Sequence, residues 1–378
     1  MRNYVIPTSA ASNSGAAVHE LYVGVMSGTS LDGADAILVD WKSRQTKGFA
    51  SAEFEPDLRA ELLGLCAPGD DELTRAGIIS IRLAHVYAGL VKKLLADANV
   101  ARGDVAAIGC HGQTVRHHPE LGFTIQIQNP ALLAELTNIS VVADFRSRDI
   151  AAGGQGAPLA PAFHRGAFHS ANHHRAVVNI GGISNITFLP RDGRLSGFDC
   201  GPGNVLMNGW IQRHQGLEFD RDGAWASSGT VIRDLLAQCR ADPYFDMPPP
   251  KSTGRERFNL SWLDIKVQPQ HSARDVQATL LELTAGGIAE ALKRHFPACE
   301  EVYLCGGGAD NAALVARLKG LLAGIAIGRT DALGIPAQQV EAAAFSWLAK
   351  CAVQRRAIDL ADVTGARHPS ILGAIYQG

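Results

Sequence analysis

The sequence predicts an α/β fold made of two related halves with a ligand cleft between them. Three observations lead there. Strands and helices alternate along the chain. Two strand–turn–strand units with Gly- and hydroxyl-rich turns begin near residues 21 and 175. Between 144 and 161 the texture changes, as charges give way to Gly153, Gly154, Gln155, Gly156 and two prolines, which marks a crossing between domains.

Residues 21–25 are a short apolar run, 27–33 read as a turn, and 34–39 resume with Ala36, Ile37, Leu38 and Val39. Across 71–99, Ile78, Ile79, Ile81, Leu83, Val86, Leu90, Val91 and Leu94 recur mainly at helical spacing. A buried strand over 105–110 runs into His111-Gly112-Gln113-Thr114; 129–136 reads as a helix and 140–143 as a strand. The second half opens with a strand over 175–180, a turn over 181–185 and a returning strand over 186–189. Residues 302–304 lead into Cys305-Gly306-Gly307-Gly308, and a helix follows from about 311. Residues 371–376 are expected to return to the first half as a helix. The expected organisation is a mobile extension over 1–20, a first domain of 21–143 plus 368–378, and a second domain of 144–367.

With 378 residues, 46% of them apolar, the chain can bury two cores without disulfides or metal. The formal net charge is −2 and no long run of Lys and Arg occurs, which argues against a dedicated nucleic-acid binder. The seven cysteines are scattered with no CxxC pair, a pattern that fits a reducing, cytoplasmic setting. No apolar stretch reaches the ~20 residues that span a bilayer, and the leader lacks the apolar core of a signal peptide.

Three turns point to a nucleotide. In Ser27-Gly28-Thr29-Ser30-Leu31-Asp32-Gly33 the glycines allow close approach, and the hydroxyls and successive N–H groups suit an anion. Asp32 there can hold magnesium through water. Taken alone, this turn reads as an ordinary hairpin. It lacks the Gly-Lys-Ser/Thr of a Walker loop. A second turn of the same character, Asn179-Ile180-Gly181-Gly182-Ile183-Ser184-Asn185, can face the first across a triphosphate. The third, around Gly306, Gly307 and Gly308, leaves room for an adenine or ribose.

The catalytic candidate is Asp199 in Gly197-Phe198-Asp199-Cys200-Gly201-Pro202-Gly203-Asn204. At the end of a short strand, its carboxylate serves equally as a base, with a pKa low enough to leave it ionised, or as the cap of a helix starting near Val205. His111 and Gln113 follow a strand end, where α/β proteins usually bind ligands. The 144–149 segment offers the guanidiniums of Arg146 and Arg148, and Glu341 precedes an apolar stretch as a cap or a sugar contact. Residues 251–259, basic and broken by Gly254, read either as a mobile anion-binding loop or as a solvated lid. The pairs His117-His118 and His173-His174 lack metal spacing and read as surface.

Gly24-Val25-Met26-Ser27-Gly28-Thr29-Ser30-Leu31-Asp32-Gly33 closely resembles the opening of the anhydro-N-acetylmuramic acid kinase family. So, in family order, do His111-Gly112-Gln113-Thr114, Gln155-Gly156-Ala157-Pro158, Asn179-Ile180-Gly181-Gly182, the Asp199 motif, residues 251–259 and Cys305-Gly306-Gly307-Gly308. The resemblance implies an actin/hexokinase-like (ribonuclease H-like) fold, with two domains around an interdomain cleft for ATP and Mg2+, and a homodimer. It implies a reaction in which ATP and water convert 1,6-anhydro-N-acetylmuramic acid to its ring-opened 6-phosphate, in peptidoglycan recycling. The base maps onto Asp199. The first phosphate loop maps onto Gly28, Thr29, Ser30, Leu31, Asp32, Gly33, Ala34 and Asp35. Nucleotide contacts are expected at Asn179, Gly181, Gly182, Gly306, Gly307 and Gly308, and sugar contacts at His111, Gln113, Arg148, Gln155 and Glu341. The rival readings are another actin-fold kinase for a sugar or small molecule, and an actin- or chaperone-like ATPase without sugar chemistry.

Overall fold

The computed structural model describes residues 20–28 and 31–378. Expectations for the leader up to residue 19, and for Thr29 and Ser30, lie outside the described residues. Two sheets organise the chain. The first contains β1 (Leu21–Met26), β2 (Gly33–Asp40), β3 (Gln45–Glu53), β4 (Val105–Cys110), β7 (Val141–Ala143) and β13 (Ala374–Tyr376), in the order β13-β7-β4-β1-β2-β3. A separate hairpin pairs β5 (Gln113–His118) with β6 (Phe123–Ile127). The second sheet runs β10-β9-β8-β11-β12, from β8 (Arg175–Ile180), β9 (Ile183–Leu189), β10 (Ser196–Pro202), β11 (Glu301–Cys305) and β12 (Ala326–Arg329).

The two sheets repeat one plan. Each begins with an antiparallel three-strand meander, β1-β2-β3 or β8-β9-β10, and adds parallel strands beyond the first: β4 then β7, and β11 then β12. The local cause is legible: apolar strands that return after a tight Gly turn pair antiparallel, whereas strands reached through a long helix pair parallel. The two-domain, actin/hexokinase-like α/β reading is therefore borne out by topology.

The first sheet is covered on both faces. Leu83, Tyr87, Val91 and Leu94 of helix Glu72–Asp97 pack on Val23, Val25, Ala36 and Leu38. The other face carries helix Val340–Val353, which crosses β1 and β4 where both strands have glycine. A Cβ at Gly24 would run into the Ala342 carbonyl oxygen, and one at Gly109 into that of Phe345. This helix follows the second sheet in sequence, yet it lies on the first, and its far side joins the core of the second half through Phe163, Phe345 and Trp347.

Residues 374–376 form a strand, antiparallel to β7, rather than the expected helix. Only three residues are available there, and a segment that short gains more from one edge of a sheet than from an isolated turn of helix. β3 and the β5–β6 hairpin were not visible as strands in the sequence. Both are solvated edges with alternating exposure rather than apolar runs.

Candidate active site

The glycine turns meet in the cleft between the sheets. One cavity of about 410 Å3 is lined by Gly28, Asp32, Gly33, Ala34 and Asp35 from the first half, and by Asn179, Gly181, Gly306, Gly307, Gln338 and Glu341 from the second. A second, of about 480 Å3, shares Gly307 and Gln338 with it and extends past Asn204, Phe219 and Asn311. A third, of about 260 Å3, shares Met26, Asn179 and Glu341 with the first, and holds Arg146, Asn185 and Asp199. Three adjoining cavities thus share lining residues along one cleft.

The first turn is held from behind. Its register runs from Met26 paired with Asp35, and Leu31, at φ +60°, sends its N–H to Gly28 O while its side chain enters the core. Ser27 does not offer its hydroxyl to a ligand, contrary to expectation. It is buried, with Oγ 2.9 Å from Tyr87 Oη and donating to Gly112 O at 3.0 Å. Gln113 is also buried and donates from Nε2 to Gly28 O at 3.1 Å, so it braces the turn. Asp32 lines the cavity, but its carboxylate pairs with Arg59 at 2.8 Å.

The second turn is fixed by the start of helix Val205–Gln215. Asn204 N–H donates to Gly181 O at 2.8 Å, while the N–H groups of Gly203 and Val205 donate to Gly182 O at 2.9 and 3.1 Å. At the third turn Gly306 adopts φ +77°, where a side chain would collide with Asn179 Oδ1. Gly307 lines both the first and the second cavity. Gly308 instead packs on Ile180, where a Cβ would overlap the Ile180 side chain.

Asp199 lies on β10 beside an irregularity in the β9 pairing. Its Oδ2 accepts the Thr253 N–H at 3.0 Å, its own N–H donates to Lys251 O at 3.1 Å, and Tyr244 Oη donates to its carbonyl at 2.7 Å. The capping role is not observed: the helix cap position is Asn204, and the Asp199 carboxylate faces the acceptor cavity. Its pKa is raised above the ordinary carboxylate value, yet it stays low enough to leave the group ionised at neutral pH. Burial pushes it up to about 6, the Thr253 N–H opposes the rise, and the Glu256 charge adds to it. A base near 6 is still ionised at neutral pH and takes a proton more readily than an ordinary carboxylate. A base must be deprotonated to act, so if Asp199 is that base, kcat/KM should fall as pH drops through about 6. Glu256→Gln should move that limb to lower pH, and a limb unmoved by the substitution would separate Glu256 from the base.

Two further carboxylates face the same cleft. Burial raises the pKa of Asp35, and it raises that of Glu341, where Arg146 opposes the rise and Asp35 adds to it. Glu341 is exposed on the cleft at the first turn of its helix, yet protein surrounds it closely enough to desolvate its carboxylate.

Some expected sugar contacts lie elsewhere. Arg148 is exposed on the short helix Ser147–Ala151, in a separate cavity with His368 and Ser370, whereas Arg146 is the guanidinium of the acceptor cavity. The helix beginning at Ser147 turns residues two apart in opposite directions, which pattern alone does not reveal. Gln155 is exposed, and the chain beyond it, residues 157–161, supplies the cavity wall. His111 is buried and contacts Arg146 rather than the cavity. Phe219, Asp220 and Arg221 also line the second cavity without belonging to any motif; an aromatic followed by charges just past a helix is the available signal.

A family model described as anhydro-N-acetylmuramic acid kinase matches residues 20–378. A protein named anhydro-N-acetylmuramic acid kinase from Nitrosomonas europaea is 52% identical over 359 residues, covering 94% of this chain and 99% of its own. One of the same name from Pseudomonas paraeruginosa is 53% identical over 360 residues, covering 94% and 98%. Among solved structures, component A of the Acidaminococcus fermentans (R)-2-hydroxyglutaryl-CoA dehydratase aligns with a TM-score of 0.46 at 13% identity, over 86% of this chain and 96% of that one. That likeness is too distant to carry any inference about function.

Proposed function

The chain belongs to the anhydro-N-acetylmuramic acid kinase family, and from that premise we propose that Asp199 is the base of its ring-opening phosphorylation. The enzyme is an ATP-dependent phosphotransferase with an alcohol acceptor. It converts 1,6-anhydro-N-acetylmuramic acid, ATP and water to N-acetylmuramic acid 6-phosphate and ADP. The observation that supports the assignment is adjacency: the Asp199 cavity shares Met26, Asn179 and Glu341 with the cavity of the glycine turns, where the phosphates are proposed to lie.

The chemistry follows from the substrate. An anhydro sugar has no free hydroxyl at the six position, so the bridging oxygen must leave the anomeric carbon in order to accept phosphate. Asp199 takes a proton from water as the water oxygen bonds to that carbon and the carbon–bridge bond breaks. The freed oxygen bonds to the γ-phosphorus while the bond from that phosphorus to ADP breaks. Little covalent work falls to the protein beyond the base, and the glycine turns and the cleft's charges position the groups.

Magnesium belongs to this reading. Asp35 and Glu341 line the phosphate cavity, and burial raises the pKa of each, which suits a hard cation that takes oxygen ligands and keeps its waters. Bound there, it would neutralise phosphate charge; the Asp32 carboxylate stands further out, on Arg59. Among the described residues no helix is long and apolar enough to cross a membrane. All seven cysteines are free, six of them buried, which supports a reducing cytoplasm as the place of action. A homodimer is part of the same proposal, on the family resemblance.

Purified protein should phosphorylate the anhydro sugar with ATP, and should leave N-acetylmuramic acid and glucose largely untouched. Equal turnover of glucose would replace this reading with an ordinary actin-fold sugar kinase.

A further inference from the structure

His111 has no part in the chemistry described so far, yet it stands between the two ligand spaces. It is 5% exposed, at the end of β4, with its ring 4.6 Å from that of Phe345. On one side, Nε2 meets Arg146 Nε at 3.1 Å and Nη2 at 2.9 Å. A guanidinium has only donors, so Nε2 is the unprotonated acceptor and Nδ1 carries the proton. On the other side, Nδ1 lies 3.4 Å from Ser27 O, at the root of the first phosphate turn. Burial and the Arg146 charge both hold the ring neutral, as this arrangement needs.

The partners on each side are fixed. Arg146 also donates from Nη1 to Gly156 O at 2.9 Å, and Asp149 ties that loop down by accepting the Gly156 N–H at 2.7 Å and the Thr364 hydroxyl at 2.9 Å. Two guanidinium N–H groups remain for the acceptor cavity that Arg146 lines beside Glu341. Ser27 is pinned by Tyr87 and Gly112, and the next residue, Gly28, lines the phosphate cavity. One imidazole therefore spans the gap between a phosphate-binding backbone and a sugar-cavity cation.

We propose that His111 is a positioning residue that locks Arg146 to the phosphate turn, so that nucleotide and acceptor sugar each strengthen the binding of the other. The proposal rests on the kinase reading above and adds to it a route of communication. A triphosphate seated on Gly28 and a sugar seated on Arg146 each hold one end of the link that His111 makes, so binding of either pre-orders the site for the other. By linkage the effect is reciprocal, and typical couplings of this kind run about 5- to 150-fold in affinity.

The test is a pair of titrations. Binding of the anhydro sugar is measured without nucleotide and with a saturating non-hydrolysable ATP analogue, in wild type, His111→Gln and His111→Asn. Gln can keep an acceptor for Arg146 while losing the Ser27 contact; Asn can keep a donor for Ser27 while losing Arg146. Wild type should bind sugar at least about fivefold tighter with the analogue present. Both variants should bring that ratio near one while binding the analogue alone almost as wild type does. A wild-type ratio near one, or a ratio preserved in His111→Gln, overturns the proposal. So does an equal weakening of both ligands in a folded variant, the mark of a purely structural histidine. Failure of wild type to bind or phosphorylate the sugar at all would instead strike the kinase reading.

Discussion

Asp199→Asn should abolish sugar phosphorylation, with kcat reduced by about 10²- to 10⁴-fold, while the ATP analogue binds with unchanged affinity. The substitution is close to isosteric. An amide oxygen can still accept the Thr253 N–H, and the Tyr244 bond goes to the Asp199 backbone, so the support of the site persists. Asp199 does not line the phosphate cavity, which is why nucleotide affinity should hold. The same substitution should leave stability intact or raise it at neutral pH. The folded-state pKa is lifted from 3.8 to about 6, so this group's contribution to stability is present below 3.8 and is lost as pH rises through about 6. A neutral Asn escapes that loss. Steady-state kinetics, nucleotide titration and a melting curve on one preparation check all three parts. Near-normal turnover would remove Asp199 from the role of base.

Gly109→Ala should strongly damage the fold. The added methyl meets the Phe345 carbonyl oxygen and carbon, backbone atoms that cannot swing aside, so β4 or the helix Val340–Val353 must move. Overpacking commonly costs about 1–3 kcal/mol, and collision with backbone belongs at or above the upper end. Against a total stability of about 5–15 kcal/mol, that lowers Tm by several degrees. The shift also reaches the site, since the same helix carries Glu341 and rests on His111 through Phe345. Thermal denaturation with sugar KM measured alongside is the check; an unchanged Tm would contradict so close an approach of helix and strand.

The parts of the fold visible in sequence are those fixed by local pattern. β1, β2, β4, β8 and β9 are apolar runs beside Gly-rich turns, and the repetition of strand–turn–strand carried the idea of two related sheets. β3 escaped because one face is solvated, and β13 because its pairing with β7 spans more than 200 residues of chain. In the site, the gathering of Asp199 and the three turns on one cleft was legible because Gly-rich turns and a strand-end carboxylate stand out by residue type. What stayed hidden was direction. Ser27 looks like a phosphate ligand until Tyr87 and Gly112 are seen to hold its hydroxyl. Arg146 and Arg148 are indistinguishable in a charged run, and only the helix start at Ser147 separates the one in the cleft from the one in solvent. The 251–259 segment read as either lid or anion loop. Its backbone holds Asp199, through Lys251 O and the Thr253 N–H, and its Glu256 charge raises the Asp199 pKa.

The central claim is that water opens the anhydro ring as the bridge oxygen takes up phosphate, with Asp199 as the base. The reaction run in ¹⁸O-water, with product read by mass spectrometry and extrapolated to zero time to exclude later exchange at the anomeric carbon, tests it directly. One solvent oxygen should appear on the anomeric carbon of the sugar phosphate and none in the transferred phosphoryl group. A product without solvent oxygen on the sugar, or with it on phosphorus, would contradict the account.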